Sequence, residues 1–367
     1  MSWIKILSIN VMVTLSFIGF ILVAPPIGYA VKTLFKASEP MDARGYLDIY
    51  SDYNWARHHF DELSSLNIHY IDYVTWRQKD FNGETITIEN GLRKTFQSKS
   101  LDANAKDFWF FGGSTTWGIG VSDFFTYPSL FARLNNASVS NFGENGYIAR
   151  QSLAYLINYL ILQKKEDLSG VSVVFYDGFN DTVARCRTEV SGLSTDREAQ
   201  IRDFLGDNFR LSGYSFSRTF DQLSDFLMAV SRKFGFGKSD VDTSYNCDSD
   251  IRRAYEVAET LVKTWETASK LIESKGGVFT AILHPNAYFG GSDFDYLQLT
   301  TPNDLAIARQ IHTIYPLIIG IAERSGVNFI NLSDAYNGCT DCYIDFAHVG
   351  PRAHQKLVNI LSKHLID

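Results

Sequence analysis

From residue 107 onward the chain alternates between short apolar runs and longer amphipathic stretches. The runs are Phe108-Trp109-Phe110-Phe111, Val139-Ser140-Asn141-Phe142, and residues 171–176, 278–283 and 327–332. Segments near 124–135, 150–164, 250–275, 303–325 and 350–365 have helical spacing. Continuous apolar runs of strand length mark strands buried on both faces, and helical crossovers between them predict a parallel sheet covered by helices. The expected fold class is α/β, a doubly wound sheet of about five parallel strands. Two segments break the rhythm. Residues 65–99 read as a small β-rich extension, in which Ile86-Thr87-Ile88 alternates, Glu89-Asn90-Gly91 turns, and residues 92–96 resume an extended pattern. Residues 183–247, rich in Phe and Tyr, read as an insertion or lid.

The N-terminus follows a different pattern. Residues 6–31 carry no charge, Lys5 and Lys32 flank them, and the dense apolar part, 6–24, is 19 residues long. As a helix rising about 1.5 Å per residue it would span about 28 Å, close to the roughly 30 Å of a bilayer core. Pro25 and Pro26 then stop it. A transmembrane anchor is the first reading. The alternative is a cleaved signal peptide, for which Gly28-Tyr29-Ala30 offers small residues.

Orientation signals conflict. Lys32, Lys36 and Arg44 follow the span while Lys5 precedes it, which by the positive-inside rule would keep the following domain in the cytoplasm. The four cysteines point the other way. Cys339 and Cys342 form a C-x-x-C, Cys186 and Cys247 complete an even count, and no second C-x-x-C or H-x-x-x-H supplies the converging ligands of a zinc site. Two disulfides in an oxidising compartment are expected, with the pair Cys186 and Cys247 pinning the ends of the insertion. Reduced core thiols are the alternative. The folded part is accordingly expected outside the cytoplasmic membrane.

Composition narrows the function classes. Of the 367 residues 45% are hydrophobic, enough for a substantial core, and Lys+Arg 34 against Asp+Glu 41 gives a net charge of −7. Without a basic surplus or stripe, no nucleic-acid partner is expected. Chemistry in open α/β sheets gathers beyond the carboxyl ends of the strands. The first run is followed by Gly112-Gly113-Ser114-Thr115-Thr116-Trp117-Gly118, whose Gly113 and Gly118 have phosphate-loop spacing, but Ile119 and Gly120 replace the Lys and hydroxyl such a loop needs. Thr116 also breaks the G-x-S-x-G elbow. What remains is a serine on a tight glycine turn, either a nucleophile or a simple helix cap. Gly143-Glu144-Asn145-Gly146 follows the second run and Asp177-Gly178-Phe179-Asn180-Asp181 the third, each of which could be no more than a turn. Near the C-terminus, Asp345 stands three residues before His348, so that one turn can present both side chains to the same side and leave Nε2 free as a base. His284 follows a strand and could line the pocket, whereas His58-His59 reads as a helix-surface pair and not a metal site.

Taken together and in this order, these blocks resemble those of the SGNH (GDSL-type) hydrolase superfamily over residues 107–360. The resemblance implies a flavodoxin-like three-layer α/β/α fold, Ser114 as nucleophile, and Asp345 and His348 as its partners. It places the oxyanion hole at the N–H groups of Ser114 and Gly146 and the side-chain amide of Asn180. Residues 70–96, with Tyr73-Val74-Thr75-Trp76-Arg77 and Gly91-Leu92-Arg93-Lys94-Thr95, look like the N-terminal extension of membrane-anchored bacterial members. The implied layout is an anchor at 1–36, a mixed extension at 37–106 and a hydrolase domain at 107–367 with its insertion at 183–247. Two departures are visible: Gly113 stands where the family name has Asp, and blocks three and four are far apart. The expected activity is a serine-dependent esterase with no cofactor and no metal. It would remove O-acyl, chiefly acetyl, groups from a cell-envelope carbohydrate on the periplasmic or extracellular side of a bacterial membrane. Trp117, Tyr147 and Phe179, near the serine in sequence or block, are read as favouring a sugar substrate. An O-acyltransferase using the same residues, and a non-catalytic carbohydrate-binding or assembly protein, are the competing readings.

Overall fold

The computed structural model describes residues 42–98, 105–190, 195, 198, 244–291 and 294–366. The apolar span at 6–24 and most of the insertion lie outside these residues. All elements named below belong to one unit, formed by residues 42–196 and 243–367.

The unit begins with two 3-10 turns, Ala43–Tyr46 and Asp48–Tyr50, followed by α1 (Ala56–Ser65). The strands β1 (Ile68–Ile71) and β2 (Thr75–Gln78) form an antiparallel hairpin with Tyr70 opposite Trp76. Three short strands follow: β3 (Phe81–Asn82), β4 (Thr87–Glu89) and β5 (Leu92–Arg93). The β4–β5 turn takes positive φ at both central residues, Asn90 (54°) and Gly91 (72°), as a tight hairpin of this hand requires. Next come β6 (Asp107–Gly112), the one-turn helix α2 (Ser114–Trp117), α3 (Tyr127–Asn135), β7 (Ser138–Asn141), α4 (Ala149–Leu162), β8 (Val171–Asp177) and α5 (Phe179–Arg185). Beyond the insertion lie α6 (Ile251–Glu273), β9 (Val278–Leu283), α7 (Pro302–Ser325), β10 (Phe329–Asn331) and α8 (Pro351–Leu365).

The eight-stranded sheet has the order β10-β9-β8-β6-β7-β5-β4-β3. Its first five strands are mutually parallel, as the apolar runs predict. Within the extension β1 and β2 form a two-stranded sheet of their own, while β3, β4 and β5 join the central sheet. Strand β5 pairs antiparallel with β7 through Arg93 and Asn141, and β4 and β3 continue from there, so the extension carries the central sheet onward.

Side-chain alternation along β6 divides the core. Phe108 and Phe110 join Phe131 of α3 and Leu357, Val358 and Leu361 of α8 on one face. Trp109 and Phe111 join Leu156 of α4, Leu261 and Trp265 of α6 and Ile314 of α7 on the other. Burial on both faces explains why these runs show no polar alternation. Helix α7 is long and apolar enough to cross a membrane, but Ile307, Ile311, Ile314, Ile318 and Ala322 are buried in this second cluster, as in the core helix of a folded domain.

Helix starts agree with local chemistry. Thr126 caps α3 by accepting from the Ser129 N–H, and Thr301 and Asp304 form a reciprocal capping box at α7. Both helices carry Pro in the first turn, where a missing N–H costs nothing. The described cysteines are paired as expected, Cys186 with Cys247 and Cys339 with Cys342.

One buried arginine ties the extension to the serine turn. Arg93 donates to Asp123 Oδ1 at 2.8 Å and to the carbonyls of Trp117, Gly118 and Val121 at 3.1, 2.7 and 2.7 Å. Its guanidinium lies 4.2 Å from the Trp117 ring centroid. Burial lowers the Arg93 pKa and raises that of Asp123 against their mutual attraction. The pair therefore contributes position more than stability, yet removing one member strands the other. Replacing Arg93 with Met is expected to destabilise the fold by about 3–5 kcal/mol in denaturant titration. Replacing the exposed Lys94 with Met should cost less than about 0.5 kcal/mol. A loss at Arg93 no larger than that at Lys94 would refute this role.

Candidate active site

The strand β6 ends at Gly112, and the chain turns sharply into α2, whose first residue is Ser114. Gly113 is extended, and a Cβ placed on it would lie 2.5 Å from Asn180 Nδ2 and 3.2 Å from the Tyr147 carbonyl. Any side chain at this position would push the Asn180 amide aside. Gly113 is thus the residue that lets the third block close on the first.

The last block folds into a turn held by the Ile344 N–H on the His348 carbonyl at 2.9 Å and the Gly350 N–H on the Cys342 carbonyl at 2.8 Å. His348 Nε2 lies 2.7 Å from Ser114 Oγ, and its Nδ1 lies 2.7 Å from Asp345 Oδ2 and 2.9 Å from Oδ1. Asp345 Oδ1 also accepts from the N–H groups of Ala347 and His348 at 3.0 and 2.8 Å. Burial alone would raise the Asp345 carboxyl; the imidazole and the two N–H donors outweigh it and hold the group well below the usual carboxylate range. An ionised Asp345 makes Nδ1 the protonated nitrogen, which leaves the Nε2 lone pair for the Ser114 proton. Ser114 is 9% exposed, enough to be reached and too little to be fully solvated.

Of the expected oxyanion donors, the Asn180 amide lies against the serine turn. Asn180, on the first turn of α5, donates one amide N–H to the Tyr147 carbonyl at 2.8 Å. With Gly113 against the same two groups, the first three blocks meet at one point. Gly146 immediately precedes Tyr147, is exposed and has φ 78°. This loop is held from behind by the extension. Glu144 is fully buried and accepts from the Gln78 and Asn145 N–H groups, each at 2.8 Å. Arg77 Nε is 3.8 Å from Glu144, and the guanidinium donates to the carbonyls of Gly91, Phe142 and Gly143. Block three is fixed through Asp181, whose carboxylate accepts from the Ala149 N–H and is pushed up to about 6, chiefly by burial.

Several expectations are corrected. Trp117, Tyr147 and Phe179 are 1%, 1% and 4% exposed, so none presents a face to a sugar. Trp117 lies under Arg93, the Tyr147 hydroxyl donates to the Trp76 carbonyl, and Phe179 stacks on Phe346 at 5.4 Å. Their size made burial the cheaper fate. His284 does not line the pocket either. It is buried, its Nδ1 donates to the Pro285 carbonyl, and its Nε2 accepts from the Phe179 N–H at 3.3 Å. Burial lowers its pKa to about 4, so it is a neutral support for block three. His58 faces Glu62 at 3.1 Å and His59 is buried against Thr85, which is not a shared metal site. Cys339, Asp341 and Cys342 lie close together, but both thiols are consumed by their disulfide.

Arg77, Glu144 and Arg44 were not singled out as site residues from sequence. Of these only Glu144 carries a faint signal, a charge between Gly143 and Gly146.

No protein-family model and no curated protein matches this chain. Among solved structures it is similar to a member of the lipolytic protein G-D-S-L family from Veillonella parvula DSM 2008, at 12% identity and a TM-score of 0.38 over 71% of this chain and 97% of that one. It is also similar to a carbohydrate acetylesterase family member from Sinorhizobium meliloti, at 13% identity and a TM-score of 0.37 over 71% and 99%. A third is a GDSL-like lipase from Bacteroides thetaiotaomicron VPI-5482, at 12% and 0.37 over 71% and 87%. What the site can do chemically is set by its geometry. That geometry, a hydroxyl, a base and an orienting carboxylate beside amide donors, is suited to nucleophilic acyl transfer.

A substitution series follows. Ser114→Ala and His348→Ala should each lower kcat by about 10⁶, since they act as a unit, and Asp345→Asn by about 10⁴ through loss of the working tautomer. Gly113→Ala, by displacing the Asn180 amide, should cost about 10²–10³. Turnover of a p-nitrophenyl ester and labelling by a fluorophosphonate report all four, and undiminished turnover in Ser114→Ala would overturn the assignment.

Proposed function

We propose that this protein is a carboxylic ester hydrolase that works through an acyl-Ser114 intermediate. The observation that carries the reading is the 2.7 Å contact between Ser114 Oγ and His348 Nε2, with Asp345 behind it. In the first half-reaction Nε2 takes the hydroxyl proton as Oγ bonds to the acyl carbon. The Ser114 and Gly146 N–H groups and the Asn180 amide meet the oxygen that gains charge, each such donor being worth about 2.7–4 kcal/mol. Collapse breaks the ester C–O bond, and the alcohol leaves with the proton held by His348. Water then repeats the sequence: it loses a proton to Nε2, bonds to the acyl carbon, and Ser114 departs with that proton as the carboxylic acid is released.

The substrate class within this reading is an O-acyl ester, acetyl first, on a carbohydrate of the cell envelope. Its support is the compartment. Two disulfides favour an oxidising environment, and the apolar run at 6–24 suits an anchor that holds the enzyme beside that material. Within this proposal the folded unit works outside the cytoplasmic membrane. A phosphatase-type reporter at the C-terminus should be active, and a reporter active only in the cytoplasm would overturn the placement.

Hydrolysis and acyl transfer share the acyl-enzyme and differ in what attacks it. With an activated acetyl donor and a saturating oligosaccharide, free acetate is expected to be the main product. Acetylated sugar as the main product would replace the esterase reading with an O-acyltransferase.

A further inference from the structure

Asp345 has a partner from the opposite end of the described chain. Arg44 Nη1 donates to Asp345 Oδ2 at 2.8 Å, the same oxygen that lies 2.7 Å from His348 Nδ1. With the Ala347 and His348 N–H groups on Oδ1, the carboxylate then has donors on all sides and no freedom to rotate. Arg44 is itself fixed. Asp42 takes its Nε at 3.0 and 3.2 Å and its Nη2 at 2.7 Å, and the guanidinium lies 5.1 Å from the Phe60 ring centroid of α1. Packing reinforces the contact: Tyr50, Ala56 and Phe60 form a small core with Ile344, the residue before Asp345. Tyr50 also donates to the Gly120 carbonyl at 2.6 Å, on the loop after the serine helix.

We infer that Arg44 is a positioning residue for the reaction proposed above, acting through Asp345 to hold His348 in line with Ser114. The inference rests on that reading of the site and adds to it a role for the segment ahead of α1. Two effects of the guanidinium oppose each other. It locks the carboxylate, which favours catalysis, and its positive charge disfavours the imidazolium that forms in each half-reaction. Asp42 settles the balance, because its carboxylate pairs two-fold with Arg44 and cancels much of that charge while leaving the third N–H on Asp345. Misplacing a reacting group by about 1 Å can cost on the order of 10²-fold.

The test uses the whole chain and a p-nitrophenyl ester. Arg44→Ala is expected to lower kcat by about 10–10²-fold with KM little changed, and millimolar guanidinium should restore part of the loss. Arg44→Lys should fall between. Arg57→Ala, which removes a neighbouring cation stacked on Tyr46 and not on the triad, should match the parent. The deciding measurement is a double-mutant cycle: in an Asp345→Asn background, Arg44→Ala should have almost no further effect on kcat. An equal loss in both backgrounds would make Arg44 merely structural and overturn the inference, as would a folded Arg44→Ala with parental kcat. Should Arg44→Ala fail to fold, Arg44→Lys in the same cycle gives the same decision. Parent protein that neither labels with fluorophosphonate nor turns over would sink the esterase reading itself, a result distinct from a failure at Arg44.

Discussion

The ionised carboxylate of Asp345 is the element on which the rest of the site depends. As an anion it accepts a hydrogen bond from the Nδ1–H of His348, which leaves Nε2 to face Ser114. Keeping an anion in a partly desolvated turn is costly unless donors surround it. The protein supplies them from three sources: the imidazole, two N–H groups of the turn, and the Arg44 guanidinium. The tightness of the turn, with Asp345 only three residues from its histidine, follows from that need. Backbone donors are positioned without side-chain entropy, so most of the cradle is built into the local chain.

A similar economy governs the other blocks. Ser114, Gly146 and Asn180 follow the carboxyl ends of three parallel strands, on the connecting segments that are the least constrained parts of an α/β sheet. Here they are constrained by buried polar groups of the extension. Arg93 holds the carbonyls beyond the serine helix, and Arg77 holds those of the glycine loop beside the fully buried Glu144. Ion pairs of this kind add little net stability because desolvation offsets attraction, but they define one arrangement sharply. By continuing the sheet past β7, the extension also covers what would otherwise be an open strand edge.

A glycine at position 113 fits the same logic. Asn180 sits closer to the nucleophile turn than a side chain at 113 would allow. The position is a matter of space, since any Cβ there competes with the Asn180 amide.

Local pattern was sufficient for the five parallel strands and their helices, because burial on both faces leaves a signature within a few residues. The blocks bearing Ser114, Asn180, Asp345 and His348 read singly as turns and stood out only through their resemblance, in order, to a known family. Cysteine count and spacing anticipated both disulfides. Tertiary structure alone decided the rest. The burial of Trp117, Tyr147 and Phe179 depends on what packs over them, and an aromatic on a turn looks the same in sequence whether it meets solvent or an arginine. The joining of β5 to β7 rests on one pair of residues 48 positions apart, Arg93 and Asn141. Arg44 reaches Asp345 across a separation of 301. Contacts of that range leave no periodicity to read: they are settled by which surfaces the collapsed chain brings together, and only then by the charges found there.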